Sequence, residues 1–450
     1  MLSKTPRFVG WRLASVNDKE ASDNSSKRPI AFVSETYPDV PMVNRQISGL
    51  VRAGLQVIVL ALRRFDPGSV SALREQQPVA VKCIDDNLFL SPRFWWAHVV
   101  LFWSSPSRYF RSALELARHT VGSRWMLSRA IYAFLKAGYF VRMMAQWDVG
   151  HVHAYYAGRT ADVAWIISRL TSLPYSFIGI SHDVEGNYPF LEQKLVDASF
   201  VVTASERIMK IARQKANCID SRQFHVIHTG LDPERFCPTE RVEVRVPIII
   251  SVTRLIPSKG LDDLIYACSL LRDRGVAFQC HIIGRGPQQS ELERLIQSHE
   301  LIGTVEMVGF LREPEVIAYL QNAQVFALPC RDVPAGAQDG LPTQFVPVIR
   351  DDIPIGLIEA MSVGLPVVST YQSSIPELVD DQLNGLLVPS GQPEAVADAL
   401  ELLLSNDSLR SRLGREAREK ILQDFDNLKC AHQLCALFEV AMSSQGLGYH

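Results

Sequence analysis

The chain has 450 residues, too many for one hydrophobic core, so roughly two or three domains are expected. Its 47% apolar and 21% charged residues are ordinary for a globular protein and exclude collagen-like, coiled-coil and wholly disordered chains. The 46 Lys and Arg against 48 Asp and Glu leave a formal charge of −2, so no global positive excess points to nucleic acid as a partner.

Residues 1–28 end in NDKEASDNSSKR and lack the apolar run of a secretory signal, which reads as a flexible extension. The eight cysteines form no C-x-x-C pair and sit in apolar segments, as reduced, buried thiols of a cytoplasmic protein do. From Ile30 onward, short β-branched runs alternate with longer amphipathic segments, which predicts an α/β fold with parallel sheets. Strands are expected at Ile30–Ser34, Gln56–Leu60, Val149–His153, Tyr175–Ile178 and Phe200–Thr203.

Between Ser91 and Trp147 lie eight cations (Arg93, Arg108, Arg111, Arg118, Arg124, Arg129, Lys136, Arg142) and one acid, Glu115, interleaved with Trp95, Trp96, Phe102, Trp103, Tyr109, Phe110 and Trp125. Cationic helices carrying aromatics suit the interface of an anionic membrane. The competing reading is a solvated face over an aromatic core. No run reaches the roughly 20 apolar residues of a spanning helix.

Leu231–Pro247, with three prolines, reads as a linker, which divides the chain into domains 29–235 and 248–425, each doubly wound, followed by a C-terminal helix within 426–450 that crosses back to the first domain. Strands resume at Ile248–Thr253, Phe278–Ile283, Thr304–Val308, Val325–Leu328, Pro366–Ser369 and Gly385–Val388. After the first of these, Arg254 and Lys259 flank a loop that opens a helix at Gly260, an arrangement suited either to a diphosphate or to two solvated cations. HIIGRGP places Gly284 and Gly286 where a backbone can approach a ligand or simply turn tightly. In RDDIPIGLIEAM, Asp351 and Glu359 bracket a helix start near Ile355, and carboxylates accept paired hydrogen bonds from vicinal diols. Taken alone, acidic residues at a helix start are better explained by the helix dipole. Asp424 and Asp426 have the D-x-D shape of a metal site but lie far from the other motifs, so no metal is assigned.

The order V-T-R-L-x3-K-G, I-I-G-R-G-P, V-G-F and D-x7-E, followed by A-M-S-V-G-L-P-V-V-S-T and I-P-E-L-V, resembles the donor-binding half of the retaining glycosyltransferases of family 4, which have the GT-B fold. The resemblance spans Ile248–Pro389 and implies two Rossmann-like domains facing a cleft, the second for a nucleotide diphosphate sugar and the first for the acceptor. It implies that Arg254, Lys259 and Gly260 meet the diphosphate, Glu359 the ribose and Asp351 the transferred sugar, with Gly284, Gly286, Gly309, Ile355, Gly356 and Leu357 around the donor. The family's first carboxylate is Glu; here Asp351 is one methylene shorter. QDGLPTQFV offers Asp339 as an alternative first carboxylate, but only Asp351 keeps the spacing to Glu359, which makes Pro342–Arg350 an insertion.

AFVSETYPDVP and HVHAYYAG followed by SHD resemble an exopolysaccharide or colanic-acid subgroup of that family. The likeness implies His182 as a catalytic residue and Glu35, Thr36, His153 and Asp183 on the acceptor side, whereas Ser34 and Thr36 also fit an N-cap. A front-face, retaining, metal-independent transfer to a saccharide, carried on a lipid, is the implied chemistry, with no cofactor beyond the nucleotide sugar. A lipid-linked acceptor favours peripheral attachment at the cytoplasmic face of the inner membrane. Two other readings stay open: a GT-B epimerase or phosphorylase, and a non-catalytic nucleotide-sugar-binding partner in polysaccharide assembly. A plain NAD-binding protein is disfavoured because neither half has G-x-G-x-x-G after its first strand.

Overall fold

The computed structural model describes residues 28–37, 41–63, 80–83, 91–120, 124–186, 190–217, 221–239, 245–334 and 348–444, with the side chains of 80–83, 119–120, 125, 182, 221 and 348–349 outside that description. Asp339 and most of the inserted segment therefore lie outside the described residues. In chain order the first domain comprises β1 (Ile30–Ser34), α1 (Pro41–Arg52), β2 (Val57–Ala61), β3 (Ala80–Cys83), α2 (Pro92–Ser104), α3 (Pro106–Thr120), α4 (Arg124–Met144), β4 (His151–Tyr155), α5 (Arg159–Thr171), β5 (Tyr175–Gly179), α6 (Ser181–Glu185), α7 (Leu191–Asp197), β6 (Phe200–Thr203), α8 (Glu206–Lys215) and β7 (Phe224–Val226). The second comprises β8 (Ile248–Val252), α9 (Leu261–Asp273), β9 (Gln279–Ile283), α10 (Gln289–Ser298), β10 (Val305–Gly309), α11 (Glu313–Asn322), β11 (Val325–Ala327), β12 (Val333–Pro334), β13 (Val348–Ile349), α12 (Ile355–Ser362), β14 (Val367–Thr370), α13 (Ile375–Leu378), β15 (Leu386–Val388), α14 (Pro393–Ser405) and α15 (Asp407–Asp424), after which comes α16 (Asn427–Ser443).

The first sheet has seven strands in the order β3-β2-β1-β4-β5-β6-β7 and the second has six, β10-β9-β8-β11-β14-β15. Every pairing in both is parallel. Strands of such sheets are covered on both faces, which is why β1 and β2 are buried at every position and read as nearly continuous apolar runs. The strand order reverses direction at β1/β4 and at β8/β11, the two places where doubly wound folds open a crevice for ligands.

Helix α16 returns to the first domain, where Phe438 and Leu434 join α1 and one face of the first sheet in a common core. The return is pinned where Leu231 donates its N–H to Phe425 O (3.0 Å) and accepts from Asn427 N (2.9 Å). Leu231 and Phe236, read from sequence as linker, are buried in the second domain's core. Cys268, Cys280, Cys330, Cys430 and Cys435 are free and buried.

The segment expected to be either membrane-facing or core has one buried and one exposed apolar face. On α2, Phe94, Ala97, His98 and Leu101 point inward, while Trp95, Trp96 and Trp103 are 50%, 64% and 77% exposed. Phe110 and Leu114 on α3 and Leu127 and Ile131 on α4 continue the exposed apolar surface. Arg93, Arg108, Arg111, Arg118, Arg124 and Arg142 are exposed alongside them, whereas Arg129 and Lys136 turn inward.

His151 and His153 project from the same face of β4 into the core beneath α16, fully buried, and both rings lie 2.7 Å from Ser176 Oγ. Burial pushes His153 down to about 3, and burial, reinforced by His153, holds His151 well below its ordinary value. Because the folded values lie below the unfolded value of about 6.5, this contribution to stability is complete above pH 6.5 and is lost as pH falls toward the folded values. Chemical denaturation should show stability falling below about pH 6.5, by about 1.4 kcal/mol per pH unit for each ring. A stability that stays level down to about pH 5 would contradict neutral burial of the pair.

Candidate functional site

A cavity of about 620 Å³ opens between the domains, lined from the first by Pro41, Met42, Tyr156, Ile180, Ser181 and Thr229, and from the second by Val252–Arg254, Lys259, Arg350–Gly356, Ile358 and Glu359. It lies beyond the carboxyl ends of β4, β5 and β8. The four side chains singled out in the second half, Arg254, Lys259, Asp351 and Glu359, converge here with Ile355 and Gly356.

Lys259 is nearly buried, and its Nζ lies 2.8 Å from Asp351 Oδ2, which also accepts a longer bond from Ser258 Oγ at 3.4 Å. Gly260 follows at φ +63°, and a Cβ there would meet Pro329 O at 2.0 Å, so the loop can deliver Lys259 to the cavity only with glycine at this position. On the same wall α12 begins at Ile355 behind Pro354, without a side-chain cap, so the N–H groups of its first turn carry positive charge beside the site. Glu359 comes one turn later. Burial raises its pKa, and Arg45 of α1 opposes that rise from 2.5 Å away.

Several expectations are corrected. Gly284, Gly286, Gly309 and Leu357 do not line the cavity. Gly284, at φ +145°, lies against Thr253 O, where a Cβ would sit at 1.8 Å; the G-x-G turn therefore packs on the Arg254 loop. Leu357 is fully buried in the core, because two residues along a helix from Ile355 turns to the far face. The third strand was expected to end at His153 but runs to Tyr155, so His153 is mid-strand and wholly buried, and cannot touch an acceptor.

Glu35 is engaged by Arg63 Nε at 3.0 Å and Arg159 Nη2 at 2.6 Å, and Thr36 O accepts from Ser34 Oγ at 2.7 Å; neither residue lines the cavity. Asp183 is buried and its Oδ2 accepts from Ala157 N at 3.0 Å, which supports the turn after β4 from below. His182 lies in α6 immediately after Ser181, which lines the cavity; its side chain is outside the described set. Asp426 caps α16 by accepting from Leu428 N and Lys429 N, and Asp424 pairs with Lys420, so both D-x-D carboxylates hold helix ends or faces.

Sequence reasoning missed Tyr156, whose φ of +79° is rare for a bulky residue and aims its ring into the cavity. It also missed the seam that joins the domains beside the site. There Glu377 accepts the N–H groups of Glu206 (2.7 Å) and Arg207 (3.0 Å) at the start of α8, Ser374 Oγ donates to Ser205 Oγ (2.9 Å), and Ser181 Oγ donates to Arg350 O (3.1 Å).

Residues 238–420 match the family described as glycosyl transferases group 1. A putative colanic acid biosynthesis glycosyltransferase, WcaL, of Escherichia coli is 33% identical over 334 residues, 73% of this chain and 77% of that protein. The chain belongs to the group 1 glycosyltransferases. An amylovoran biosynthesis glycosyltransferase, AmsK, of Erwinia amylovora is 30% identical over 299 residues, 65% of this chain and 70% of the relative. Among solved structures, Anabaena HepE in complex with UDP and glucose superposes with a TM-score of 0.65 over 92% of this chain and 100% of that one at 16% identity, which establishes the shared GT-B fold. For a glycosyltransferase of this architecture, a cleft between two parallel sheets, with cations and a bare helix start on one wall, can bind an anionic donor while leaving the other wall to an acceptor. No described helix is long and apolar enough to cross a membrane.

Proposed function

We propose that the chain transfers a glycosyl group, with retention, from a nucleotide diphosphate sugar to a lipid-linked saccharide during exopolysaccharide assembly at a membrane surface. The observation that carries this reading is the convergence of Arg254, Lys259, Asp351, the start of α12 and Glu359 on one interdomain cavity. Arg254 and Lys259 hold the diphosphate, Glu359 the ribose diol and Asp351 the transferred sugar. The 2.8 Å contact between Lys259 and Asp351 supports adjacent ligand positions, because the diphosphate and the sugar share the oxygen that must break from the anomeric carbon.

As that bond breaks, negative charge builds on the diphosphate and positive charge on the sugar. Cations and N–H dipoles already aimed at the leaving oxygens stabilise that separation without reorganising. The acceptor hydroxyl enters from the same face, its proton passing to the departing phosphate oxygen, and His182 hydrogen-bonds the sugar. No metal is assigned a part in this sequence. The names of WcaL and AmsK support a polysaccharide product. The exposed tryptophans and arginines of α2–α4 support a membrane-borne acceptor.

One assay tests the reading: UDP-, GDP- and ADP-sugars offered with extracted lipid-linked acceptors in phosphatidylglycerol vesicles, in EDTA. Turnover is expected with one donor class, with the donor's anomeric configuration kept in the product. Replacing Trp95, Trp96 and Trp103 together with serine should weaken vesicle binding by at least about tenfold. An inverted product, or full loss in EDTA rescued by manganese, would overturn the mechanism. Undiminished vesicle binding by the triple variant would overturn the membrane surface.

A further inference from the structure

We propose that Arg45 is a positioning residue for the donor: an arginine of the acceptor-side domain that fixes the Glu359 carboxylate in place for the ribose of a nucleoside diphosphate. The inference rests on Glu359 being the ribose contact.

The guanidinium is placed by contacts on every side. Its Nη2 lies 2.5 Å from Glu359 Oε1 and 3.2 Å from Glu313 Oε2, and its plane sits over the Phe236 ring at 5.2 Å. Only 13% of the Arg45 side chain and 11% of the Glu359 side chain are exposed. The main chain is equally constrained, because Arg45 O accepts from Asn427 Nδ2 at 2.8 Å, at the point where the chain crosses back between domains. Two turns later Arg52 pairs with Asp232 at 2.6 Å, a second tie from α1 to the crossover. An arginine held this firmly transmits its position to its partner.

Glu359 needs such a partner. The charged groups that face it are Arg45 from α1 and Glu313 from α11, the latter also engaged by Arg235 at 2.8 Å. Burial and Glu313 both favour the neutral carboxyl, and Arg45 opposes them. A diol donates two hydrogen bonds and is gripped by a carboxylate, which offers acceptors only, better than by a carboxylic acid, which gives up one acceptor position to its own proton. Arg45 uses Oε1, and a carboxylate retains further lone pairs for the diol. Since Arg45 belongs to the opposite domain, the donor's ribose site is complete only when the two domains are seated together.

The test is calorimetric titration of UDP and GDP into the full chain, with the tighter of the two carried through the variants. Arg45→Met should weaken binding about tenfold or more at neutral pH, with Arg45→Lys recovering part of the loss. The deficit of Arg45→Met relative to wild type should deepen as pH is lowered, because burial and Glu313 both favour the protonated carboxyl once the arginine is gone. Arg45→Met combined with Glu359→Gln should bind no more weakly than Glu359→Gln alone, because the arginine acts through the carboxylate. If Glu359→Gln weakens binding but Arg45→Met does not, or if the two losses simply add, the positioning role is overturned and the ribose contact stands. If Glu359→Gln binds as wild type does, the ribose contact falls and the positioning role with it. Should Arg45→Met fail to fold, Arg45→Lys decides: weakened binding that deepens toward lower pH supports the role, and wild-type binding at every pH overturns it.

Discussion

Replacing Lys259 with alanine is expected to lower glycosyl transfer by about a hundred- to a thousand-fold while leaving the chain folded. Its Nζ sits in a cavity walled by protein, with only 7% of its side chain exposed, where a fixed cation interacts with developing charge far more strongly than it would in water. Water admitted by the smaller side chain would have to reorient during bond breaking, a cost the lysine avoids. The loss should fall on kcat more than on donor KM, because charge on the leaving diphosphate grows toward the transition state. Lys259→Arg keeps the charge but not the point-like ammonium beside Asp351, and should recover only part of the rate. Near-wild-type kcat in Lys259→Ala, measured with folding checked by thermal melting, would remove this residue from the leaving-group site.

The second large effect concerns stability. Asp162 is buried and receives two cations, Lys194 Nζ at 2.6 Å and Arg129 Nε at 2.8 Å. Lys194 is fully buried and also donates to Ala157 O at 2.5 Å, so the cluster lies directly beneath the turn that carries Tyr156 into the cavity. Burial lowers the pKa of Lys194, and Asp162 opposes that shift. Asp162→Ala removes the buried carboxylate that pairs with both cations and should cost about 3–5 kcal/mol. Lys194→Met leaves Asp162 paired with Arg129 and should cost less, about 1–3 kcal/mol. Urea denaturation of both variants checks the order; a larger loss from Lys194→Met would mean that packing, rather than uncompensated charge, holds this region.

Much of the fold was legible in the sequence, because buried parallel strands are short apolar runs between helices, and Ile30–Ser34 and Ile248–Val252 announce themselves that way. Besides the two-residue β12 and β13, the strands that escaped are β3 and β7 of the first sheet, with a lysine in four residues and a histidine in three. Both lie at the outer edges of the first sheet, where a strand has a neighbour on one side only. At the site, Arg254, Lys259, Asp351 and Glu359 were picked out by the resemblance to family 4, because spacing alone left each of them a purely structural explanation. Arg45 and Tyr156 were not, since what gives them a place is the way two distant segments are brought together. His153 and Leu357 were misplaced for one common reason: a sequence position near a strand end or a helix start does not say which face its side chain takes.

The course of α16 has a consequence for how the molecule comes to be made. One face of the first sheet is closed by Phe438 and its neighbours, residues that follow the whole of the second domain. During synthesis the first domain can form its strands early, but it must wait with apolar surface open until the second has left the ribosome. The last helix acts as the latch of vectorial folding: neither half is finished until both have been translated.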